Sequence, residues 1–279
     1  MNRVSFLTLS VCSFVSSALA VDTSATQSDR AFRFTTVEYP PFVICDENNM
    51  AIEGLDIRII SEAMAKANLE LEIHCTPWRR SIHEVATGNF DGVLPIYLNQ
   101  KRLNWGRYLM TPLHYESYVI VSNKDNDKAV EKFSDLFHKT IGLNSGFYVN
   151  KQFSEAQQEK RFELKQFNTT ELGIKALQRN RLQYYLSNIT VLGYTATQMG
   201  VEDSLHIQPK RFTMPRPTYL ALSRKSPKAM KLAPVLGPIL EEMRSSGELK
   251  KINDQYLDKE LMLSDHYCPQ HVDAVTIDW

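Results

Sequence analysis

The sequence predicts an α/β protein built as two lobes hinged by two crossover strands, and three observations carry that prediction. Strand and helix patterns alternate through the first hundred residues, and a second alternating series follows at about residues 140–210. Two longer strand patterns, "ESYVIVSNK" and "PRPTYLALS", stand where the chain leaves the first series and where it returns. Lobes joined in this way enclose a cleft and can close on a ligand.

The elements follow in order. Residues 32–38, "FRFTTVE", alternate as a strand, and "YPPF" breaks it ahead of a turn rich in Asp, Glu and Asn. Over 55–68 the apolar positions Ile59, Ile60, Ala63, Met64 and Ala67 recur at helical spacing, and "LELEIHC" then alternates as a second strand. A short helix at about 81–87 leads to a third strand, "GVLPIYL", so this part reads as parallel βαβαβ. Beyond the first crossover, "TIGLNSG", "RFELKQF", "QYYLSN" and "SLHIQPK" read as short strands, separated by helical patterns at about 148–158, 169–179 and 189–198. After the second crossover, Met230, Val235, Leu236, Ile239, Leu240 and Met243 form one apolar helix face expected to pack on the first lobe. The expected boundaries are 31–118 with 214–258 for lobe 1, 119–213 for lobe 2, and a tail at 259–279 packing on lobe 1.

Composition narrows the function. The chain has 279 residues, with 32 Lys and Arg against 32 Asp and Glu, so no basic surface asks for nucleic acid and no acidic tail asks for a basic partner. The first twenty residues, "MNRVSFLTLSVCSFVSSALA", combine Arg3, an apolar run and Ala-Leu-Ala at 18–20, and are expected to be a cleaved secretory leader with Val21 first in the mature chain. Lipidation at Cys12 is disfavoured because Val11 precedes it. No later stretch has the ~18 consecutive apolar residues of a membrane span, so a free periplasmic protein is expected. Export leaves Cys45, Cys75 and Cys268, which allow one disulfide and one thiol, with the pairing open. The cysteine spacings fit no zinc pattern and the seven histidines are scattered, so neither a metal nor a cofactor is expected.

Arg102 is the first candidate site residue. It sits three residues after Asn99, a helix-capping type, just beyond the "GVLPIYL" strand, and so at the carboxyl edge of a sheet where α/β folds bind ligands. A planar guanidinium there can hold a carboxylate through two parallel hydrogen bonds.

Several segments, in order and spacing across about 32–257, resemble one family. "YPPF" is similar to its first-strand ending and "EGLDIRIISEAMAKA" to its Gly-Phe-Asp-Val-Asp helix. "GNFDGVLPIYLNQKR" is similar to its Gly-x-x-Asp-Ala…Thr-x-x-Arg segment, and "YLMTPLHYES" to its Phe-Ser-x-Pro-Tyr. "IGLNSG" resembles its Gly-x-x-x-Gly loop and "GELKKINDQYL" its C-terminal helix. The family is that of the bacterial extracellular solute-binding proteins, family 3, which deliver polar amino acids to ABC importers. The resemblance implies a two-lobe, type II periplasmic binding protein-like fold and a monomer serving an inner-membrane permease. A sensor role, presenting the solute to a membrane receptor, is the alternative.

The resemblance also implies roles. Arg102 matches the arginine that clamps the ligand's α-carboxylate, with Asn99 in place of the family's Thr, and Tyr39 and Trp78 match aromatic residues that sandwich the ligand. Arg80 is expected either in the cleft or in water, and Arg79 in water. Asn188 stands where amino-acid binders have the aspartate that pairs with the ligand's ammonium, and a neutral amide cannot neutralise a buried cation. Glu38 is the expected substitute if it faces the cleft. Phe147, Tyr148 and Tyr97 add aromatic bulk where small residues are usual, which suits a flat ligand or a reduced pocket. Some relatives on this fold are dehydratases, for which Glu38 or Glu171 are the candidate acids. No Ser-His-Asp set, phosphate loop or paired metal ligands accompany them, so no enzymatic activity is expected. Gly142 and Gly146 lack the Lys-Ser/Thr of a nucleotide loop.

Overall fold

The computed structural model describes residues 31–126, 128–208 and 212–256. The expected leader, the tail and Cys268 lie outside them.

The described residues open with β1 (Phe32–Thr36), then form a small hairpin of β2 (Ile44–Cys45) and β3 (Ala51–Glu53). Helix α1 (Leu55–Lys66) follows; of the positions the spacing predicts, Ile59, Ile60, Ala63 and Met64 are buried, and Ala67 is the half-buried C-cap just past the helix. Full burial of such side chains contributes roughly 1.5–3 kcal/mol each. After β4 (Leu71–Cys75), helix α2 (Trp78–Thr87) starts three residues earlier than its periodicity suggests, because Pro77 supplies the extended N-cap and Trp78 joins the first turn. Strand β5 (Gly92–Tyr97), the short α3 (Gln100–Leu103) and β6 (Gly106–Leu109) complete this run.

β1 pairs in parallel with β4 and β5, the βαβαβ arrangement expected. β7 (Tyr115–Glu116) and β8 (Tyr118–Asn123) are separated by one residue, Ser117, where the chain passes from the first sheet to the second. The second sheet takes β9 (Thr140–Asn144), α4 (Lys151–Gln158), β10 (Glu163–Phe167), α5 (Thr170–Gln178), β11 (Tyr184–Asn188), α6 (Ile189–Met199) and β12 (Leu205–Ile207). Its order is β10-β9-β11-β8-β12. Asn150, Thr169 and Asn188 each accept backbone N–H bonds at the starts of α4, α5 and α6, as capping residues do.

The chain returns through β13 (Arg216–Ser223), which runs antiparallel between β5 and β6 and also pairs with β7. The first sheet therefore reads β4-β1-β5-β13-β6, with β7 beside β13. Two helices, α7 (Pro227–Ser245) and α8 (Glu248–Tyr256), cover α1 and share its core. On α7 the buried stripe is Ala229, Leu232, Ala233, Leu236, Leu240 and Met243, and Val235 is exposed, contrary to expectation. Val235 is one position before Leu236, which turns it about 100° away from that stripe. Cys45 and Cys75 form a disulfide between β2 and the end of β4.

Candidate functional site

A cleft opens between the two sheets at their carboxyl edges. Val37, Tyr39, Trp78, Pro95, Tyr97 and Arg102 line it from the first lobe, Phe147 and Tyr148 from the loop after β9, and Glu116, Tyr118 and Thr218 from the hinge strands. The loop turns at Gly146, whose φ of +77° is a left-handed conformation that glycine adopts without a Cβ penalty. A Cβ there would also meet Arg79 Cγ at 2.7 Å, so the two lobes touch at this point.

Phe147 fills the position between the first lobe's aromatic residues. Its ring meets Tyr39 edge-on at 5.5 Å and Trp78 edge-on at 6.0 Å. The remaining cavity is about 30 Å³, room for a water molecule or two. A solute larger than that enters only when the lobes separate or Phe147 moves.

Arg102 reaches the cleft from α3, whose start is capped by Asn99 accepting from the Lys101 N–H at 2.9 Å. Its Cζ lies 5.8 Å from the Trp78 ring, and Nη1 donates to the Tyr97 carbonyl at 3.3 Å. Burial lowers the pKa of the guanidinium, and Tyr108 beside it works the other way. No carboxylate among the described residues forms an ion pair with it, so a desolvated fork of N–H donors faces the cleft without a counter-charge.

Glu116 is the cleft's carboxylate and is 3% exposed. Its Oε2 accepts from the Tyr97 hydroxyl and, at 3.4 Å, from the Tyr39 hydroxyl. Its Oε1 meets His114 Nε2 at 2.9 Å, and His114 Nδ1 meets Asp56 Oδ1 of α1 at 2.7 Å. A ring with a carboxylate on each nitrogen donates from both and is an imidazolium. Burial alone would lower its pKa, but Asp56 and Glu116 outweigh it and raise it to about 9. Phe42 stacks flat on the ring at 3.8 Å. Burial, and then the charge of Glu116, pushes the Tyr39 and Tyr97 hydroxyls far up, so both stay protonated donors to that carboxylate.

Of the residues proposed from sequence, Arg102, Tyr39, Trp78, Tyr97, Phe147 and Tyr148 are brought together on this one cleft. Glu38 is not among them: it is exposed, and its Oε2 accepts from the Cys45 N–H at 2.7 Å. Arg80 faces outward and pairs with Glu84, one helical turn on, at 3.6 Å. Glu171 likewise pairs with Lys175 on the surface of α5. Asn188 is buried at the end of β11, opposite Tyr118, and its Oδ1 accepts from the Thr190 and Val191 N–H groups. That leaves Nδ2, a donor without a partner among the described residues, so Asn188 has no acceptor to offer an ammonium.

Arg79 is exposed, as expected, and its head also reaches the second lobe. Its Nε donates to Ser145 Oγ at 3.2 Å and Nη2 to Gln166 Oε1 at 2.6 Å. Glu116, Tyr118, Thr218 and Pro95 were not singled out from the sequence. The one available signal for Glu116 was a charged residue inside the apolar run "YESYVIV".

Residues 34–259 match the family model described as bacterial extracellular solute-binding proteins, family 3. Among curated relatives, a probable amino-acid-binding protein YxeM of Bacillus subtilis (strain 168) is 22% identical over 216 residues, 77% of this chain and 80% of that protein. The arginine-binding extracellular protein ArtP of the same organism is 22% identical over 227 residues, 80% and 84% of the two chains. Among solved structures, a histidine kinase sensor domain with similarity to periplasmic binding proteins superposes with a TM-score of 0.72 at 16% identity, covering 82% of this chain and 96% of that one. At that identity the likeness concerns the fold, a two-lobe type II binding-protein fold.

Proposed function

Because the chain belongs to the bacterial extracellular solute-binding proteins, family 3, we propose that it captures a small carboxylate-bearing solute, an amino acid or a close relative, for an ABC importer. The observation that carries this reading is Arg102, a desolvated guanidinium on the cleft wall with one long hydrogen bond to a carbonyl and no carboxylate partner among the described residues. A ligand carboxylate supplies the missing charge through a two-pronged contact, which is where guanidinium geometry gains most. The aromatic walls exclude water and strengthen that contact.

Closure follows from the lining. A solute held by Arg102 on one lobe and touching Phe147 and Tyr148 on the other favours the closed arrangement, since only differential contact shifts such an equilibrium. The reading includes export to the periplasm through a cleaved leader, a monomer, and binding without chemistry. Relatives named as amino-acid binders support it. An arginine ligand would need acceptors for both its ammonium and its guanidinium, and Glu116, with three contacts already made to Tyr39, Tyr97 and His114, is the one carboxylate lining this cleft among the described residues.

The test is calorimetry on ligand-stripped, refolded mature protein with a panel of amino acids and simple carboxylates. Arg102→Ala is expected to weaken the best ligand by roughly 2–5 kcal/mol. Unchanged affinity in that variant would refute the anchor.

A further inference from the structure

Arg216, the first residue of β13, is opposite Glu116 of β7 in the hinge. Directly paired residues of an antiparallel ladder leave on the same face, and Glu116 faces the cleft. The Arg216 guanidinium does not pair with Glu116, whose oxygens are taken by Tyr97, Tyr39 and His114. It lies instead against two walls of the cleft, 4.3 Å from the Tyr97 ring centroid and 5.9 Å from that of Tyr148. Its Nε and Nη2 are buried and have no hydrogen-bond partner among the described residues. Arg216 as a residue is half-buried, and two buried guanidinium nitrogens left unmatched are costly where an anion beside them would not be.

A second orphan points the same way. Asn188 Nδ2 is buried and unpartnered on the strand position opposite Tyr118, another cleft wall. The unmatched groups beside the cleft walls are therefore donors, the one buried unmatched acceptor, Asp56 Oδ2, lying on α1 beyond His114, whereas Glu116 has three of about four acceptor positions filled and can take one more. We infer that the solute is an α-amino acid with a second carboxylate: Arg102 takes the α-carboxylate, Glu116 the α-ammonium, and Arg216, assisted by Asn188, the side-chain carboxylate.

Charge agrees with this assignment. Arg102, Arg216 and the doubly bonded His114 are three cations, set against the carboxylates of Glu116 and Asp56. One positive charge is left over, and an acidic amino acid, with net charge −1, neutralises it. A cationic amino acid doubles the excess, and a dicarboxylate without an amine overshoots and leaves the last acceptor position of Glu116 unused. This inference rests on the solute-binding reading and sharpens it.

The experiment is titration calorimetry of the ligand-stripped protein with glutamate, aspartate, glutamine, asparagine, arginine and succinate, first on the unaltered protein and then on Arg216→Gln. Glutamate or aspartate is expected to bind at least about tenfold tighter than its amide. Arg216→Gln is expected to weaken the acidic ligand by about 30-fold or more and the amide by under about threefold, because only the former loses a buried charge pair. The comparison on unaltered protein needs no variant, so a misfolded Arg216→Gln does not shelter the inference. An amide binding as tightly as its acid overturns the second anchor and leaves Arg102 as the first. Succinate outcompeting both acidic amino acids overturns the ammonium site on Glu116. Silence from every compound overturns this inference, and the binding reading itself then stands or falls with the wider carboxylate panel and Arg102→Ala.

Discussion

Raising the pH from 6.5 to 9.5 is expected to destabilise this protein through one buried group. His114 is 4% exposed and sits between Asp56 Oδ1 at 2.7 Å and Glu116 Oε1 at 2.9 Å, so the folded chain holds its proton up to about pH 9. The unfolded chain releases it near 6.5. A group whose folded pKa lies above its unfolded one contributes fully below the unfolded value and loses that contribution as pH rises through the folded value. Over this window, at 1.36 kcal/mol per pH unit, the loss is at most about 3 kcal/mol. For a chain of this size that corresponds to a fall of roughly 6–12 °C in Tm.

Burial also raises the pKa of Asp56, which again makes stability fall with rising pH, but over a range that starts near the ordinary carboxylate value. The assay is urea unfolding at closely spaced pH values, with His114→Asn as the control. The variant should begin less stable by about 3–5 kcal/mol, since two buried carboxylates lose their cation, and should show a flatter dependence above pH 6.5. Equal slopes for the two proteins between pH 6.5 and 9 would mean that the imidazole is not held as a cation, and the Asp56–His114–Glu116 chain would have to be redrawn.

Four further outcomes follow from the same geometry. Arg79→Ala removes two hydrogen bonds across the cleft mouth and should shift the ligand-free protein toward open forms by about 1 kcal/mol; small-angle scattering would read this as a larger radius of gyration, and superimposable profiles would rule out the clasp. Phe147→Ala should lower stability by less than about 3 kcal/mol, because the ring is half-buried, and should admit bulkier side chains between Tyr39 and Trp78; calorimetry with larger amino acids tests it, and an unchanged ligand range counts against Phe147 as the filler. Asn188→Asp keeps the cap of α6 but replaces an unpartnered donor with an acceptor, so acidic ligands should weaken, and a gain for them would contradict the donor role. Replacing Cys45 and Cys75 by Ser releases a 30-residue separation and should cost about 3–4 kcal/mol in denaturant unfolding, with a smaller loss showing that the reduced chain already holds that loop.

Much of the fold was legible because it rests on local regularities. The 3.6-residue spacing of Ile59, Ile60, Ala63 and Met64 requires a helix with one buried face, and the alternation of "LELEIHC" suits an edge strand that is half covered. Arg102 was legible too, because its distance from a strand end and from a capping Asn is measured along the chain. Where local reading failed, the deciding contact came from far away. Glu38 could serve the cleft only if it faced it, and the hairpin instead turns the Cys45 N–H onto it; Arg79 is exposed as expected, but its contacts to Ser145 and Gln166 of the second lobe are invisible to local spacing.

By itself, then, the sequence determined the order of strands and helices, the two-lobe plan, and an arginine at a sheet edge facing aromatic residues, all of which follow from periodicity and short-range spacing. Only the tertiary structure decided the charge pattern of the cleft. Glu116 and Arg216 are a hundred residues apart and become neighbours solely through the register of β7 on β13. Which of Asn188's polar atoms is left over depends on a helix cap that takes its oxygen, and the electrostatics of binding depend on an Asp56–His114–Glu116 chain that exists only once α1 packs against the hinge. Side-chain direction and hydrogen-bond satisfaction are properties of the packed chain, and they set what the cleft can hold.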